Sequence, residues 1–212
     1  MANPWEEIRL CDYEAHMCSE EVYQLQAVNC LMADQLFAYN AETLMILGIT
    51  GGNGLEYIHP GEFERIYGVD INQNYLTACE DRYPECREIF EPICTDIRDK
   101  ATSLPYADYV IANLLIEYVG CDCFCRVIAQ VSPEFVSCCL IENGDQNVVS
   151  DSKYANVFDR LDEVYFRIEE NELTKKMEKI GYTNILREVK NLPNGKSLVR
   201  LDYHVSEART RV

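Results

Sequence analysis

The stretch Ile46 to Gly54, which reads ILGITGGNG, decides the fold of this chain. An apolar run that begins at Leu44 leads into it, and a segment compatible with a helix follows, so its glycines lie where a strand turns into a helix. Glycine lets the backbone turn tightly and approach a ligand closely. Because open α/β sheets bind ligands at this edge, the stretch predicts an α/β domain with a ligand site beside the glycines.

Outward from this stretch, strand patterns and helix patterns alternate along the chain. Short apolar and β-branched runs predict seven strands, at 44–49, 65–70, 88–94, 109–112, 134–141, 182–189 and 197–205. Apolar residues at three-to-four spacing predict helices at 19–38, 72–83, 121–130 and 170–180, and a short helix ends near 59–61. Buried strands that alternate with helices predict a doubly wound, mostly parallel sheet with helices on both faces.

The two ends of the chain extend this core in different ways. Leu192-Pro193-Asn194-Gly195 is a turn signal between the last two strands, so the sheet should finish with an antiparallel hairpin. Before the first strand, Ser19 supplies a cap for the amphipathic helix that follows it. We therefore predict a helical arm or lid over residues 1–40 and a single domain over residues 41–212.

The chain is strongly acidic, with a formal net charge of −17 over 212 residues and a pI near 4.5. This charge repels phosphate backbones and anionic lipid, and no basic cluster longer than Lys175-Lys176 offsets it. Nucleic acid and membrane surfaces are therefore not expected as partners. The chain is also 48% hydrophobic, which is enough to bury a sizeable core.

The eleven cysteines point to a reducing compartment. Their number is odd and they are scattered through apolar runs, which is typical of reduced, buried thiols. Cys121, Cys123 and Cys125 form the one cluster, but their C-x-C-x-C spacing is not that of a zinc site, so no metal is predicted. The first residues lack a basic segment followed by an apolar one, and no apolar run approaches about 18 residues. We expect a cytoplasmic protein.

The kind of ligand can be narrowed from the glycine stretch and the next strand. A dinucleotide site would need a third glycine after Gly52-Asn53-Gly54, and a phosphate-binding loop would need a lysine; neither residue is present. Asp70 ends the second predicted strand, where a carboxylate can accept hydrogen bonds from ribose hydroxyls. The alternative is that Asp70 caps the next helix. The pattern favours a nucleoside without a phosphate chain.

From about residue 40 onward the chain resembles the class I S-adenosylmethionine-dependent methyltransferases, which have a Rossmann-like domain. ILGITGGNG is similar to the first motif of that family, and GVDIN (68–72) is similar to its ribose-binding strand end. CTDI (94–97) resembles the adenine-contact segment, and YADYVIANLLIEYVG (106–120) resembles the fourth strand with its active-site loop. The helix and hairpin at the end match the reversed last strand of the family.

The resemblance implies S-adenosylmethionine (SAM) as the cofactor and assigns roles to residues by position. Asp70 would hold the ribose, Ile71 would pack on the adenine, and Asp96, followed by Ile97, would accept the adenine amino group. Asp96 could equally cap the segment after it. The methionine part would lie along the glycine loop, and the methyl donor beside the next backbone segment; these positions are Gly48, Thr50, Gly52, Asn53, Gly54, Asn113 and Leu114.

The chain departs from the family at two of these positions. Where the family has an acidic residue and then a glycine, aligned on Gly52 and Gly54, this chain has Gly48 and Thr50. The ammonium of the methionine part therefore lacks its usual carboxylate. Backbone carbonyls near Gly48 would have to take its place.

Candidates for a catalytic role lie on loops at the carboxyl ends of strands and in the arm. Methyl transfer rests on positioning, and a general base helps only if the acceptor must lose a proton. Glu117 and Tyr118 follow the fourth strand, Glu142 and Asn143 follow the fifth. Tyr13 and His16 lie in the arm and could close over the same cleft.

We therefore expect a SAM-dependent methyltransferase that acts on a small-molecule acceptor. Two alternatives remain open: a catalytically silent SAM-binding partner or regulatory protein, and a related transferase such as an aminopropyltransferase. Acceptor choice is expected to come from the arm, 5–17, or from the segment 145–168, because both carry aromatic residues and lie outside the cofactor motifs. A monomer and a homodimer are both compatible with the sequence.

Overall fold

The computed structural model describes residues 3–142 and 152–206. The α-helices are α1 Pro4–Glu7, α2 Leu10–Met17, α3 Gln24–Leu36, α4 Gln73–Arg82, α5 Ile116–Val119, α6 Cys121–Val131 and α7 Glu170–Lys179. The strands are β1 Thr43–Leu47, β2 Arg65–Asp70, β3 Phe90–Cys94, β4 Tyr109–Asn113, β5 Phe135–Glu142, β6 Tyr182–Asn191 and β7 Ser197–Val205. Asn143 and positions 145–151 of the predicted acceptor segment lie outside the described residues.

The seven strands form one sheet in the order β3-β2-β1-β4-β5-β7-β6. Strands β1 to β5 run parallel, whereas β7 pairs antiparallel with both β5 and β6. The order reverses direction between β1 and β4, so the loops after these strands diverge and leave a crevice at their carboxyl ends. The predicted fold class is confirmed.

Alternation along β1 shows why both faces of the sheet are covered. Leu44 and Ile46 pack on one face with residues of α3 and α4, whereas Met45 and Leu47 pack on the other face with residues of α6 and α7. All four side chains are buried. A strand that is apolar at every position needs a layer of helices on each side, as a doubly wound sheet provides.

The predicted helix at 19–38 was placed too early, since α3 begins only at Gln24. Tyr23 lies in the left-handed region, with φ of 54°, which a right-handed helix cannot continue through. Ser19 does not cap the helix; instead its carbonyl accepts hydrogen bonds from the N–H groups of Val22 and Tyr23, which closes a turn. Val22 is fully buried in this turn, so its apolar character served packing rather than helix periodicity.

The helix predicted after the glycine loop was also wrong, because only a short 3₁₀ turn, Leu55–Tyr57, forms there. Gly52 and Gly54 adopt φ of 81° and 103°, which prevents a helix from starting earlier. Pro60 then follows within a few residues and disfavours helix geometry before it. The strand β1 is therefore followed by a loop without an α-helix.

The described residues contain no helix that is both long and apolar enough to cross a membrane. They also contain no group of three or more His, Cys, Asp or Glu side chains that could hold a metal ion. On α6, Cys121 and Cys125 are buried on one face while Cys123 is half-buried, as expected for positions that point in different directions.

All eleven cysteines are free thiols, and their exposure predicts two classes of reactivity. In the folded protein, a colorimetric thiol reagent should modify the four exposed thiols first, those of Cys11, Cys18, Cys30 and Cys94. The buried thiols should react only after denaturation, because a thiol must reach solvent before it can attack the reagent. A total below eleven in denaturant without reductant would contradict the assignment of free thiols.

Candidate functional site

A pocket that opens to solvent, with about 680 Å³ of empty space when the open part is included, lies at the carboxyl ends of β1, β2 and β4, at the reversal of strand order. Residues from four loops and from the arm line it. Most of the residues singled out in the sequence meet there; they are Tyr13, Gly48, Thr50, Asp70, Ile71, Asp96, Ile97, Asn113, Leu114 and Tyr118. We call this the first pocket.

Asp70 is the buried acid of the first pocket, with a relative exposure of 7%. One carboxylate oxygen accepts the N–H of Thr50 at 2.9 Å, and the other accepts the N–H of Asn72 at 2.9 Å. Burial raises the pKa of this carboxyl, and the N–H groups of Asn72 and Thr50 oppose that effect. The cap of α4 is Asn72, whose side chain accepts the N–H of Asn74, so Asp70 is not needed as a cap.

The backbone beside Asp70 carries conformational strain at two non-glycine residues. Thr50, after β1, has φ of 50°, and Leu114, after β4, has φ of 54°. A residue with a Cβ is rarely found in this region and stores roughly 1–3 kcal/mol when held there. Both residues line the first pocket, and such strain is concentrated at ligand sites.

Asp96 lies on the other side of the pocket and is already engaged by Arg98. Its carboxylate accepts hydrogen bonds from the Arg98 backbone N–H at 2.9 Å and from the guanidinium at 2.8–3.1 Å. Burial acts to raise the pKa of Asp96, but its contacts with Arg98 hold that pKa below the usual value. Asp96 thus closes a turn with Arg98 and caps no helix, since none of the described helices begins between β3 and β4. An adenine amino group would have to displace part of the ion pair to reach Asp96.

A second pocket, with about 460 Å³ of empty space when its open part is included, adjoins the first. The two share Tyr13, Gly48, Thr50, Asn113 and Leu114 in their walls. The second pocket extends between the loop after β1 and the helices α2 and α3, and Asn53 lines it as well. A ligand held near Asp70 can therefore extend past Gly48 and Thr50 into this space.

Gly52 and Gly54 line neither pocket. A Cβ at Gly52 would lie 2.7 Å from the ring of Tyr83, and a Cβ at Gly54 would lie 2.6 Å from the Cβ of Met32. The structure gives these glycines a packing role, which lets α3 and α4 approach the loop. The cofactor role that the family resemblance implies for them stays a prediction.

Aromatic side chains of the arm cover the first pocket. The Trp5 ring lies edge-on to Tyr118 at 4.8 Å and to Tyr13 at 5.9 Å, measured between ring centroids. The arm is held in place because the Asn72 amide donates to the Trp5 carbonyl at 2.9 Å, and the Tyr75 hydroxyl donates to the Ile8 carbonyl at 2.8 Å. Glu14 of α2 forms an ion pair with Arg82 of α4.

The two tyrosines in this cover are poor candidates for a general base. Burial raises the pKa of both Tyr13 and Tyr118 well above the usual value for a phenol. Both hydroxyls are therefore protonated at neutral pH and can donate hydrogen bonds into the pocket. Their catalytic role stays a prediction, with hydrogen bonding as the chemistry that this protonation state allows.

His16 and Glu142 do not line either pocket. The His16 ring packs on Phe158 at 4.6 Å, and its Nδ1 lies 2.8 Å from the Ser152 hydroxyl. Burial, assisted by the charge of Lys196, lowers the pKa of His16 to about 4, so the ring is neutral at pH 7. Glu142 is exposed at the end of β5.

Glu117 is buried behind the pocket rather than in its wall. Its Oε1 accepts the Ile141 N–H at 2.7 Å, whereas its Oε2 is buried without a hydrogen-bond partner within the part of the chain that the structure describes. Burial raises the pKa of Glu117 to about 7, and the Ile141 N–H only partly opposes this.

Sequence reasoning did not single out several residues of the two pockets. Arg98 was missed although it follows Asp96 by two positions, and Asn3, Tyr75 and Leu115 carried no signal. In the second pocket, the sequence pattern predicts Leu25, Val28 and Met32 only as the apolar face of a helix, and it places Met17 only in the arm. The periodicity was correct, but it could not tell that part of this face borders a cavity.

No protein-family model and no curated protein matches this sequence. Solved structures do resemble its fold. The methyltransferase domain of bacterial CtHen1-C gives a TM-score of 0.60 at 20% identity, covering 86% of this chain and 97% of that chain. Geranyl diphosphate methyltransferase in complex with SAM gives 0.64 at 12% identity, covering 91% and 90%. The cyclase SpnF gives 0.62 at 11% identity, covering 85% and 81%.

These likenesses fit the strand order, the reversed β7 and the pocket at the reversal of strand order. At such identities they bear on the fold and not on the reaction. The chain therefore has the α/β fold that is found in these methyltransferases and in the cyclase SpnF.

Proposed function

We propose that this protein binds SAM and transfers its methyl group to a small-molecule acceptor. The observation that carries the proposal is the buried Asp70 carboxylate in the wall of the first pocket. It accepts two backbone N–H groups, and a carboxylate has about four acceptor positions. Lone pairs therefore remain for the two hydroxyls of a ribose.

The remaining walls of the first pocket suit a nucleoside. Ile71 and Ile97 offer apolar surface for a base, and Asp96 with Arg98 offers a polar edge. The pocket has the mixture of apolar walls and few polar groups that small-molecule sites share. Two solved structures of the same fold, geranyl diphosphate methyltransferase and the magnesium protoporphyrin IX methyltransferase of Synechocystis PCC 6803, contain SAM.

When bound, SAM supplies a methyl group that is already activated on its sulfur. The protein's own role is to hold the ribose at Asp70, to orient the cofactor along Gly48 and Thr50, and to exclude water with the aromatic cover. Such positioning is worth roughly 7–11 kcal/mol in favourable intramolecular models. We propose that residues 1–40 act as a lid on the domain at 41–212, because Trp5 and Tyr13 of the arm complete the pocket.

The methyl acceptor is proposed to be a small molecule with an oxygen or nitrogen atom that can accept a hydrogen bond. Trp5 has a buried Nε1–H with no partner among the described residues. Its ring packs edge-on against Tyr118 in the aromatic cover. An unpaired buried donor costs roughly 1–3 kcal/mol, which a ligand oxygen or nitrogen would offset. Since the two tyrosines are protonated, we favour an acceptor whose nucleophilic atom carries a free lone pair at neutral pH.

The alternatives differ in what the pocket would need. An aminopropyltransferase would want several carboxylates for a polyamine, but the acids among the described lining residues are Asp70 and Asp96, and Asp96 is paired with Arg98. A silent SAM-binding protein needs no acceptor. It is the second candidate, because no described lining side chain is a free base near neutrality.

Binding and transfer should be tested separately. Trp5 is the only tryptophan of the chain and lines the first pocket. Addition of S-adenosylhomocysteine (SAH) should therefore change the intrinsic fluorescence, and the change should level off once the site is saturated. Incubation with methyl-labelled SAM and a pool of small metabolites should then move label to a product and release SAH, with heat-denatured protein as control. Saturable binding without transfer would favour the silent alternative, and absence of binding would reject the proposed function.

A further inference from the structure

Most side chains in the walls of the second pocket are apolar, whereas Tyr13, Thr50, Asn53 and Asn113 add uncharged polar atoms. Met17 and the α3 residues Leu25, Val28 and Met32 face the loop after β1 across it, and Leu114 borders its entrance from the first pocket. Gly48 contributes backbone only. A group that enters this space therefore meets hydrocarbon and thioether surface together with polar atoms that carry no charge.

Two of the polar side chains that border the second pocket, Asn53 and Asn113, already have partners. The Asn53 amide donates to the Leu25 carbonyl at 3.1 Å, and its oxygen accepts from Asn29 at 2.8 Å. The Asn113 side chain exchanges two hydrogen bonds with Gln35, at 2.7 and 3.0 Å. These amides stabilise the protein and are not directed at a ligand.

Charge for a zwitterion is missing from both pockets. The acidic and basic side chains among their described lining residues are Asp70, Asp96 and Arg98; Asp96 pairs with Arg98, and Asp70 is assigned to the ribose. The loop after β1 leads into a 3₁₀ turn of three residues, so it offers no α-helix dipole for a carboxylate. The amino-acid tail of SAM or SAH has an ammonium and a carboxylate. Backbone carbonyls near Gly48 are uncharged, so both groups of the tail would lose water without gaining a partner of opposite charge.

We propose that this site recognises the nucleoside and the sulfur of its ligand but not the amino-acid tail. This inference rests on the proposed function, since it takes Asp70 as the ribose anchor. A neutral 5′-alkylthioadenosine has an apolar group on sulfur and no zwitterion. The inference therefore predicts that it binds to this site with about the same affinity as SAH. Nucleoside thioethers without an amino-acid tail would therefore occupy and inhibit the site as well as compounds that carry the tail.

Isothermal titration calorimetry with SAH, 5′-methylthioadenosine and adenosine tests this inference. We expect the Kd for 5′-methylthioadenosine to equal that for SAH within about threefold, or to be lower. A preference for SAH of about thirtyfold or more would overturn the inference and leave the proposed function standing. No binding of any of the three would overturn both.

A charge introduced into the second pocket provides an independent test. Leu25 is half-buried and lines this pocket, so Leu25→Lys would bring a cation to the place where we expect the tail. The variant should bind SAH at least about fivefold more tightly while its affinity for 5′-methylthioadenosine stays the same. Leu25→Gln is the control for polarity and length without charge, and circular dichroism checks that both variants are folded. Equal effects on the two ligands would contradict the inference.

Discussion

Replacing Asp70 with asparagine is expected to weaken the binding of SAH by roughly ten- to a hundredfold, as measured by calorimetry or by Trp5 fluorescence. The loss corresponds to one charge-assisted hydrogen bond of about 1.5–3 kcal/mol. Asp70→Asn keeps one acceptor oxygen and the shape of the side chain, but it replaces the other oxygen with a donor. That donor would face either a backbone N–H or a ribose hydroxyl.

The matched control for this experiment is Asp81→Asn. Asp81 is exposed on α4 and lines neither pocket, so its replacement removes the same charge without touching the site. The free energy of unfolding of both variants should be measured by urea denaturation, because Asp70 also accepts the N–H groups of Thr50 and Asn72. Unchanged affinity in a folded Asp70→Asn protein would remove the main support for the proposed function.

Glu117→Gln is expected to stabilise the protein at alkaline pH and to flatten the dependence of its stability on pH. Burial raises the pKa of Glu117 in the folded state to about 7, above the ordinary value of 4.5. Between these two values the unfolded chain releases the proton while the folded protein keeps it. The free energy of unfolding of the wild type therefore falls as pH rises through this window, and the penalty is constant above it.

The size of the effect follows from the width of the window. From about pH 5.5 to about pH 8, the stability difference between Glu117→Gln and the wild type should grow by about 2 kcal/mol, since one pKa unit corresponds to about 1.4 kcal/mol. Urea denaturation at both pH values measures it, with the exposed Glu142→Gln as control. Parallel pH profiles for the wild type and Glu117→Gln would mean that Glu117 ionises as freely in the folded protein as in the unfolded chain.

The sequence determined the fold and the location of the first pocket. Runs such as Leu44 to Leu47, apolar at every position, can be buried only if helices cover both faces of the sheet, so they fixed the layer architecture. The ends of β1, β2 and β4 must meet at one edge of a parallel sheet. Asp70 and Asn113, which end two of those strands, were therefore bound to come together.

Only the tertiary structure decided what surrounds these residues. The glycine loop is compatible with a following helix, but the left-handed conformations of Gly52 and Gly54 and the approach of Met32 leave room for a 3₁₀ turn only. Local propensity does not contain such a contact, because Met32 precedes the loop by some twenty positions and reaches it through the packing of α3.

The same distinction holds for the chemistry of individual side chains. The sequence singled out Asp96 as an acceptor for an adenine amino group and Glu117 and His16 as catalytic candidates, but it could not tell which of them lines a pocket. The fold pairs Asp96 with Arg98 and buries Glu117 and His16 away from both pockets. Residue types and their order along the chain thus determined the sheet and the edge at which the two pockets lie. Burial, charge and partners depend on segments distant in sequence, so only the packed structure decided what each group at that edge can do.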